Sequence, residues 1–162
     1  MLIFLYIGSV LIANLLSYHY YSIYMNGIIC FFLISFDLTV RDYFHITMRK
    51  RDMFFVILIA GLSSVLINYN SFYIALASTS AFLSAALVDY VLFAVSPGNF
   101  IVRSNVSNIL SAIIDSLVFS VIAYGDMGGN IFFIMVAAKL VGGFVYSILL
   151  NSYIINRNIY AQ

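Results

Sequence analysis

Apolar runs of roughly bilayer length alternate with short polar breaks along the whole chain. The runs lie near residues 1–18, 23–41, 53–68, 72–95, 103–124 and 130–154. A helix needs about 20 predominantly apolar residues to cross a hydrocarbon core of about 30 Å, so the pattern predicts six transmembrane helices. The breaks have room for turns and little else, which makes neighbouring helices antiparallel. The expected fold is an all-α integral membrane protein, a single six-helix bundle over 1–162 with no linker, tail or second domain.

Composition removes the soluble alternatives. Hydrophobic residues make up 64% of the 162 residues and charged residues 8%, against about 45–50% and about 25% in soluble domains. The net charge of +1 comes without a basic stripe beyond one loop, which argues against a nucleic-acid partner. The lone Cys30, in GIICFFLIS, has no partner for a disulfide or a metal site and reads as packing. The N-terminal run MLIFLYIGSVLIANLL lacks the basic start and cleavage site of a secretory signal. It reads as the first membrane helix.

Charge sets the expected orientation. Arg41, Arg49, Lys50 and Arg51 lie in the loop RDYFHITMRKRD, Arg103 ends SPGNFIVR, and Arg157 follows the last run. The connections YHYYSIYMNG, NYNS and GDMGGN hold no Lys or Arg. Lys and Arg favour the cytoplasmic side, and all the basic loops fall there if both termini face inward. Tyr18, Tyr20, Tyr21 and Tyr24 fit an aromatic belt at the outer surface. The expected location is the inner (plasma) membrane, multi-pass, with the lipid bilayer as surroundings. The RKRD segment sets topology; a lipid-headgroup role is the alternative.

Ionisable residues inside a membrane are costly and mark function by default. Four fall within the runs: Asp37, Asp89, Asp115 and Lys139. In SNVSNILSAIIDSLVF, the residues Ser104, Ser107, Asn108, Ser111 and Asp115 share one helix face, with Phe119 one turn on. Val106, Ile109, Leu110, Ile113 and Leu117 form the opposite face. Asp115 lies 12 residues from Arg103, or roughly 18 Å along a helix. Lys139 lies nine residues from Asn130, or roughly 13 Å. Both therefore sit near the bilayer midplane, where an Asp115–Lys139 pair serves either a buried ion pair or a binding site.

The other polar residues complete the candidate set. Asp37 and Arg41 are spaced i, i+4, as a helix-end salt bridge or a gate. Arg41 and Arg103 stand at helix ends, where long side chains reach water cheaply. Asn14 and Ser17 lie toward the outer side of the first helix; a lone Asn often joins helices. SAALVDYVLF and LSAIIDSLVF share a pattern that aligns Asp89 with Asp115, which reads as chance among apolar helices. His19 and His45 have no companions at metal-ligand spacing, and no nucleophile–base set or phosphate loop is present. No enzyme, metal or cofactor is expected.

Several segments together resemble the queuosine precursor transporter family, also called VUT or vitamin uptake transporters. IANLL at 12–16 is similar to its early asparagine motif. FDLTVRDYF at 36–44 is similar to its helix-two motif, and ALASTSAFLSAALVDYVLF at 75–93 to its helix-four pattern. VRSNVSNILSAIIDSLVF at 102–119 resembles its signature of an arginine, serines and Asp-x-x-x-Phe, and Lys139 resembles a lysine of the last helix. The chain departs from the family in being short, in Ala112 where an amide is frequent, in lacking the last-helix proline, and in His19 where a lysine is common.

The resemblance implies six helices and import of a 7-deazaguanine base, such as 7-cyano-7-deazaguanine. A guanine-like edge offers two adjacent N–H donors that one carboxylate can accept. On that basis Asp115 grips the base, Asn108 and Ser111 meet its ring carbonyl and nitrogens, Phe119 stacks on its face, and Lys139 keeps Asp115 ionised. Asp37, Asp89 and Asn14 are further candidates for the site. Two other readings stand beside it: a substrate-binding membrane subunit driven by an energising partner, and a pore-forming protein. A homo-oligomer is compatible with all three.

Overall fold

The computed structural model describes residues 1–20, 22–67, 72–125 and 129–156. Among them every element is helical: α1 (Leu2–His19), α2 (Ile23–Ile29), α3 (Ser35–Thr47), α4 (Lys50–Ile67), α5 (Phe72–Val95), α6 (Phe100–Tyr124) and α7 (Asn130–Asn156). A π-helical turn, Cys30–Ile34, joins α2 to α3 without a break. Seven helices therefore make six rods, in the number and order of the apolar runs. Tyr21, Arg157 and the connections 68–71 and 126–128 lie outside the described residues.

Local chemistry sets the helix ends where the chain turns between α5 and α6. Pro97 cannot continue α5, and Gly98 takes φ of 108°, a left-handed region that favours glycine. Asn99 then caps α6, its side chain accepting from the Val102 N–H at 3.1 Å. Arg103 closes the other side of the turn: its Nε and Nη2 donate to the Phe93 carbonyl at 3.1 and 2.8 Å. The same guanidinium lies 4.2 Å from the centre of the Phe93 ring. A carbonyl left over at the end of α5 is thus satisfied. At its far end α6 stops on Gly125, with φ of 70°.

α1, residues 76–95 of α5, α6, and residues 130–154 of α7 are long and apolar enough to cross a membrane. The remaining two rods carry charge: Lys50, Arg51 and Asp52 open α4, and Asp37, Arg41 and Asp42 lie in α3. α3 is the hub. It packs against α1, α4, α5, α6 and α7, and Asp37, Thr39, Arg41 and Asp42 are all buried within it.

The bundle is apolar outside and partly polar within. Phe4, Leu87, Phe133 and Leu149 are more than half exposed, whereas Asp37, Arg41, Asp42, Asp89 and Lys139 are buried. An apolar exterior on this scale suits lipid rather than water. The face Val106, Ile109, Leu110 of α6 points outward as the helix period requires, and Ser104, Ser107, Asn108 and Ser111 point inward.

Two sequence expectations need correction here. The second rod does not end near 41: α3 runs on to Thr47 because Asp42 and Phe44 are buried, Phe44 edge-on against Tyr6 at 5.3 Å. Arg41 does not reach out to water. It is 1% exposed, held inside by Asp37 and by the Phe82 ring 5.4 Å away. Arg103 and the start of α4 still lie toward the same end. His45, near the end of α3, lies 5.0 Å from the Phe93 ring on which Arg103 stacks, and α4 starts from Lys50.

Candidate functional site

A cavity of about 40 Å³ opens between α1, the α2–α3 rod, α5, α6 and α7. Its polar wall is Asn14, Ser17, Asn26, Asp37, Ser78, Asp115 and Lys139, and its aromatic wall is Phe82 and Phe119. At roughly 10–15 Å³ per water, this volume takes a few waters. Loading anything larger requires the helices to part.

Each helix brings its polar group for a reason visible in its packing. The π turn widens the second rod where it meets α7. Ser35 Oγ donates to the Cys30 carbonyl at 2.8 Å and also reaches the Lys139 carbonyl at 3.2 Å. Gly142 permits this approach. A Cβ there would sit 2.5 Å from the Phe31 carbonyl oxygen and closer still to the Ser35 hydroxyl. The close contact presents Cys30, Ile34 and Asp37 to the cavity on one side and Lys139 on the other. π turns of this kind are frequent at functional sites.

Lys139 and Asp115 form the charged wall. Lys139 Nζ donates to Asp115 Oδ2 and, at 2.8 Å, to Ser116 Oγ. The lysine is fully buried, whereas the aspartate keeps 14% of its side chain exposed. The ammonium thus stands behind the carboxylate, and the carboxylate faces the cavity. Across the space, Asp37 Oδ2 lies 3.2 Å from Arg41 Nη2. Its Oδ1 has no hydrogen-bond partner among the described residues. On α1, Asn14 donates to the Val10 carbonyl at 2.9 Å and accepts from the Ser78 hydroxyl.

The candidate residues separate into two groups. Asp115, Lys139, Phe119, Asp37 and Asn14 share the cavity. Asn108, Ser111 and Asp89 are not among its lining. Asn108 donates to Ser104 Oγ at 3.2 Å and packs by Gly143; Ser111 donates back to the Ser107 carbonyl at 2.9 Å. Asp89 belongs with Asp42, Ser104 and Ser107 nearer the basic end. Arg41 pairs with Asp37, whereas Arg103 bonds a carbonyl and caps a helix.

Ser78, Asn26 and Asp42 escaped sequence reading. For Ser78 the signal was present: Ser78, Phe82, Ala85 and Asp89 are spaced 4, 3 and 4 apart and share a helix face. In the sequence Asp42 falls in the loop RDYFHITMRKRD, whose basic residues point to a helix end.

An apolar exterior, a charged interior and a polar cavity lined from five rods define a multi-pass helical membrane protein of the transporter kind. The chain matches the family model described as "putative vitamin uptake transporter" over residues 2–156, and it belongs to that family. No characterised protein and no solved structure matches it.

Proposed function

We propose that this transporter imports a flat purine-like base, a 7-deazaguanine precursor of queuosine such as 7-cyano-7-deazaguanine, through the cavity at Asp115. The observation that carries the reading is the one-sided burial of the Lys139–Asp115 pair. The buried lysine binds one oxygen of the carboxylate, and the exposed side of that carboxylate can accept two N–H groups from a guanine-like edge. Phe119 and Phe82 supply apolar faces for the ring, and stacking of this kind contributes about 1–3 kcal/mol per base. The resemblance of the α6 and α3 strings to queuosine precursor transporters supports the choice of base.

The narrow cavity suits an occluded state that opens by movement of one group of helices against another, as carriers with central sites do. The basic end, with Arg49, Lys50, Arg51 and Arg103, is assigned to the cytoplasm by the excess of Lys and Arg. That puts both termini inside, in the inner membrane of the cell.

The test is rescue in cells unable to make 7-deazaguanines. The protein is expressed, the base is supplied, and queuosine in tRNA is measured. Rescue is expected from the wild-type chain and not from Asp115→Ala. A wild-type chain that reaches the membrane and gives no rescue refutes the choice of substrate. Rescue that disappears when a host ATPase complex is deleted favours instead a binding subunit driven by a partner.

A further inference from the structure

The site described so far leaves a second buried cluster unused. Asp42 is fully buried in α3. Ser104 Oγ donates to its Oδ2 at 2.5 Å, and Ser107 Oγ donates to its Oδ1 at 3.2 Å. Asp89 of α5 is 1% exposed. Ser107 is its hydroxyl neighbour too, and its Oδ1 has no hydrogen-bond partner among the described residues. A hydroxyl carries one proton, and the Ser104 carbonyl at 3.1 Å is a third acceptor within reach of Ser107 Oγ, so Ser107 cannot satisfy both carboxylates at once.

The charges around this cluster do not balance. α3 contributes Asp37, Arg41 and Asp42, and α5 contributes Asp89; α6 faces them with the neutral Ser104 and Ser107, and α1 with the neutral Tyr6. On α7, Lys139 is committed to Asp115. Arg41 is the cation that faces Asp42 and Asp89; its Nη2 lies 3.2 Å from Asp37, and its Nε and Nη1 reach no hydrogen-bond partner among the described residues, neither Asp42 nor Asp89 included. With every carboxyl ionised, three negative charges would meet one positive charge in the middle of a membrane protein. A buried carboxylate without a cation takes up a proton instead. Two such groups on one bridge share it, since like charges so placed do not both ionise.

A metal ion fits this place poorly. A cation of that kind needs a shell of several oxygens with room around it. The cavity at Asp115 does not include Asp42 or Asp89 in its wall, whereas a proton needs no space.

We propose that Asp42, Ser107 and Asp89 form a proton-binding site, and that the proton held there is the coupling ion of transport. The link to the cavity is α6 itself. One face of this helix carries Ser104 and Ser107 against the proton pair and Asp115 against the cavity. Asn108 bonds Ser104 between the two. Parting α6 from α7 or from α3 to admit a base therefore changes the surroundings of both carboxyls. A proton taken from water on one side, when the pair is open to it, is released to water on the other. The proton site stands apart from the choice of substrate; the coupling step rests on it.

Two measurements test this. The full chain is placed in lipid nanodiscs at neutral pH with no substrate, and its infrared spectrum is compared with that of the Asp42→Asn/Asp89→Asn double variant. The difference is expected to contain a carboxylic-acid stretch; a difference of ionised-carboxylate bands alone overturns the proton site. Each single variant is expected to weaken or shift the same band, so the comparison survives if the double variant fails to fold. In the second measurement the full chain is placed in vesicles with a pH-sensitive dye inside. An inward proton gradient is expected to speed uptake of 7-cyano-7-deazaguanine and to acidify the interior, and the double variant to lose that dependence. Wild-type uptake that ignores the proton gradient, or follows sodium, overturns the coupling. A chain that shows the infrared band and takes up none of the base keeps the proton site and refutes the substrate.

Discussion

Lys139 lies fully buried behind Asp115, bound to one of its carboxylate oxygens and to Ser116, while the carboxylate itself faces the cavity. Each charge depends on the other to remain in the bundle. The loss of one partner from a buried pair costs about 3–5 kcal/mol because the remaining charge is left alone. Asp115→Ala is therefore expected to lower the melting temperature of the purified protein strongly, and Asp115→Ala/Lys139→Met to recover most of that loss. Neither variant should transport. A single variant as stable as wild type would show that the pair is not what holds Lys139 in place.

Gly142 is where α7 comes closest to the π turn. An added Cβ meets backbone as well as the Ser35 hydroxyl, so trimming Ser35 cannot fully relieve the contact. Overpacking of this kind costs about 1–3 kcal/mol. Gly142→Ala should reduce stability and uptake together, and Ser35→Ala in the same chain should restore only part of either. Full recovery in a thermal-stability measurement would place the obstruction at the Ser35 side chain alone.

Phe119 lines the cavity and packs T-shaped with Tyr124, the ring centres 5.8 Å apart. Phe119→Leu keeps the position apolar and removes the flat face. The KM for a 7-deazaguanine base should rise by about 5- to 150-fold, the equivalent of about 1–3 kcal/mol of stacking, with stability changed less than by Phe119→Ala. An unchanged KM in initial-rate uptake would move the base away from this wall.

Arg103 uses two nitrogens on one carbonyl and its flat face on one ring. Lysine offers neither the fork nor the plane. Arg103→Lys is expected to lose about 1.5–3 kcal/mol, close to the loss in Arg103→Ala, because it gives up a charge-assisted hydrogen bond at a helix end. Equal melting temperatures for wild type and Arg103→Lys would show that positive charge alone suffices at the turn between α5 and α6.

Much of the fold was legible in the sequence because membrane helices announce themselves by length and by the period of their lipid-facing side. Val106, Ile109 and Leu110 against Ser107, Asn108 and Ser111 gave both faces of α6 correctly. The depth of Asp115 and Lys139 along consecutive antiparallel helices was enough to put the two residues at one level, where the structure pairs them. The departures came from charges. Arg41, Asp42 and the residues to Thr47 read as the edge of the membrane, because in sequence a charge beside a basic loop looks solvated. Once Asp37, Phe82, Ser104 and Ser107 surround them, those side chains find partners inside the bundle, and α3 continues.

The sequence by itself determined the six rods, the side of α6 that meets lipid, and the presence of four ionisable groups that lipid would reject. These follow from periodicity and hydropathy, which are properties of neighbours along the chain. The tertiary structure alone decided how the polar residues divide. Asn14, Asp37, Asp115, Phe119 and Lys139 share a cavity, while Asp42 and Asp89 meet across Ser107. The π turn in the second rod and the missing side chain at Gly142 set how closely α7 approaches that rod, and so where Lys139 meets the cavity. Contacts between residues about a hundred positions apart are fixed by such steric fits, and no local pattern encodes them.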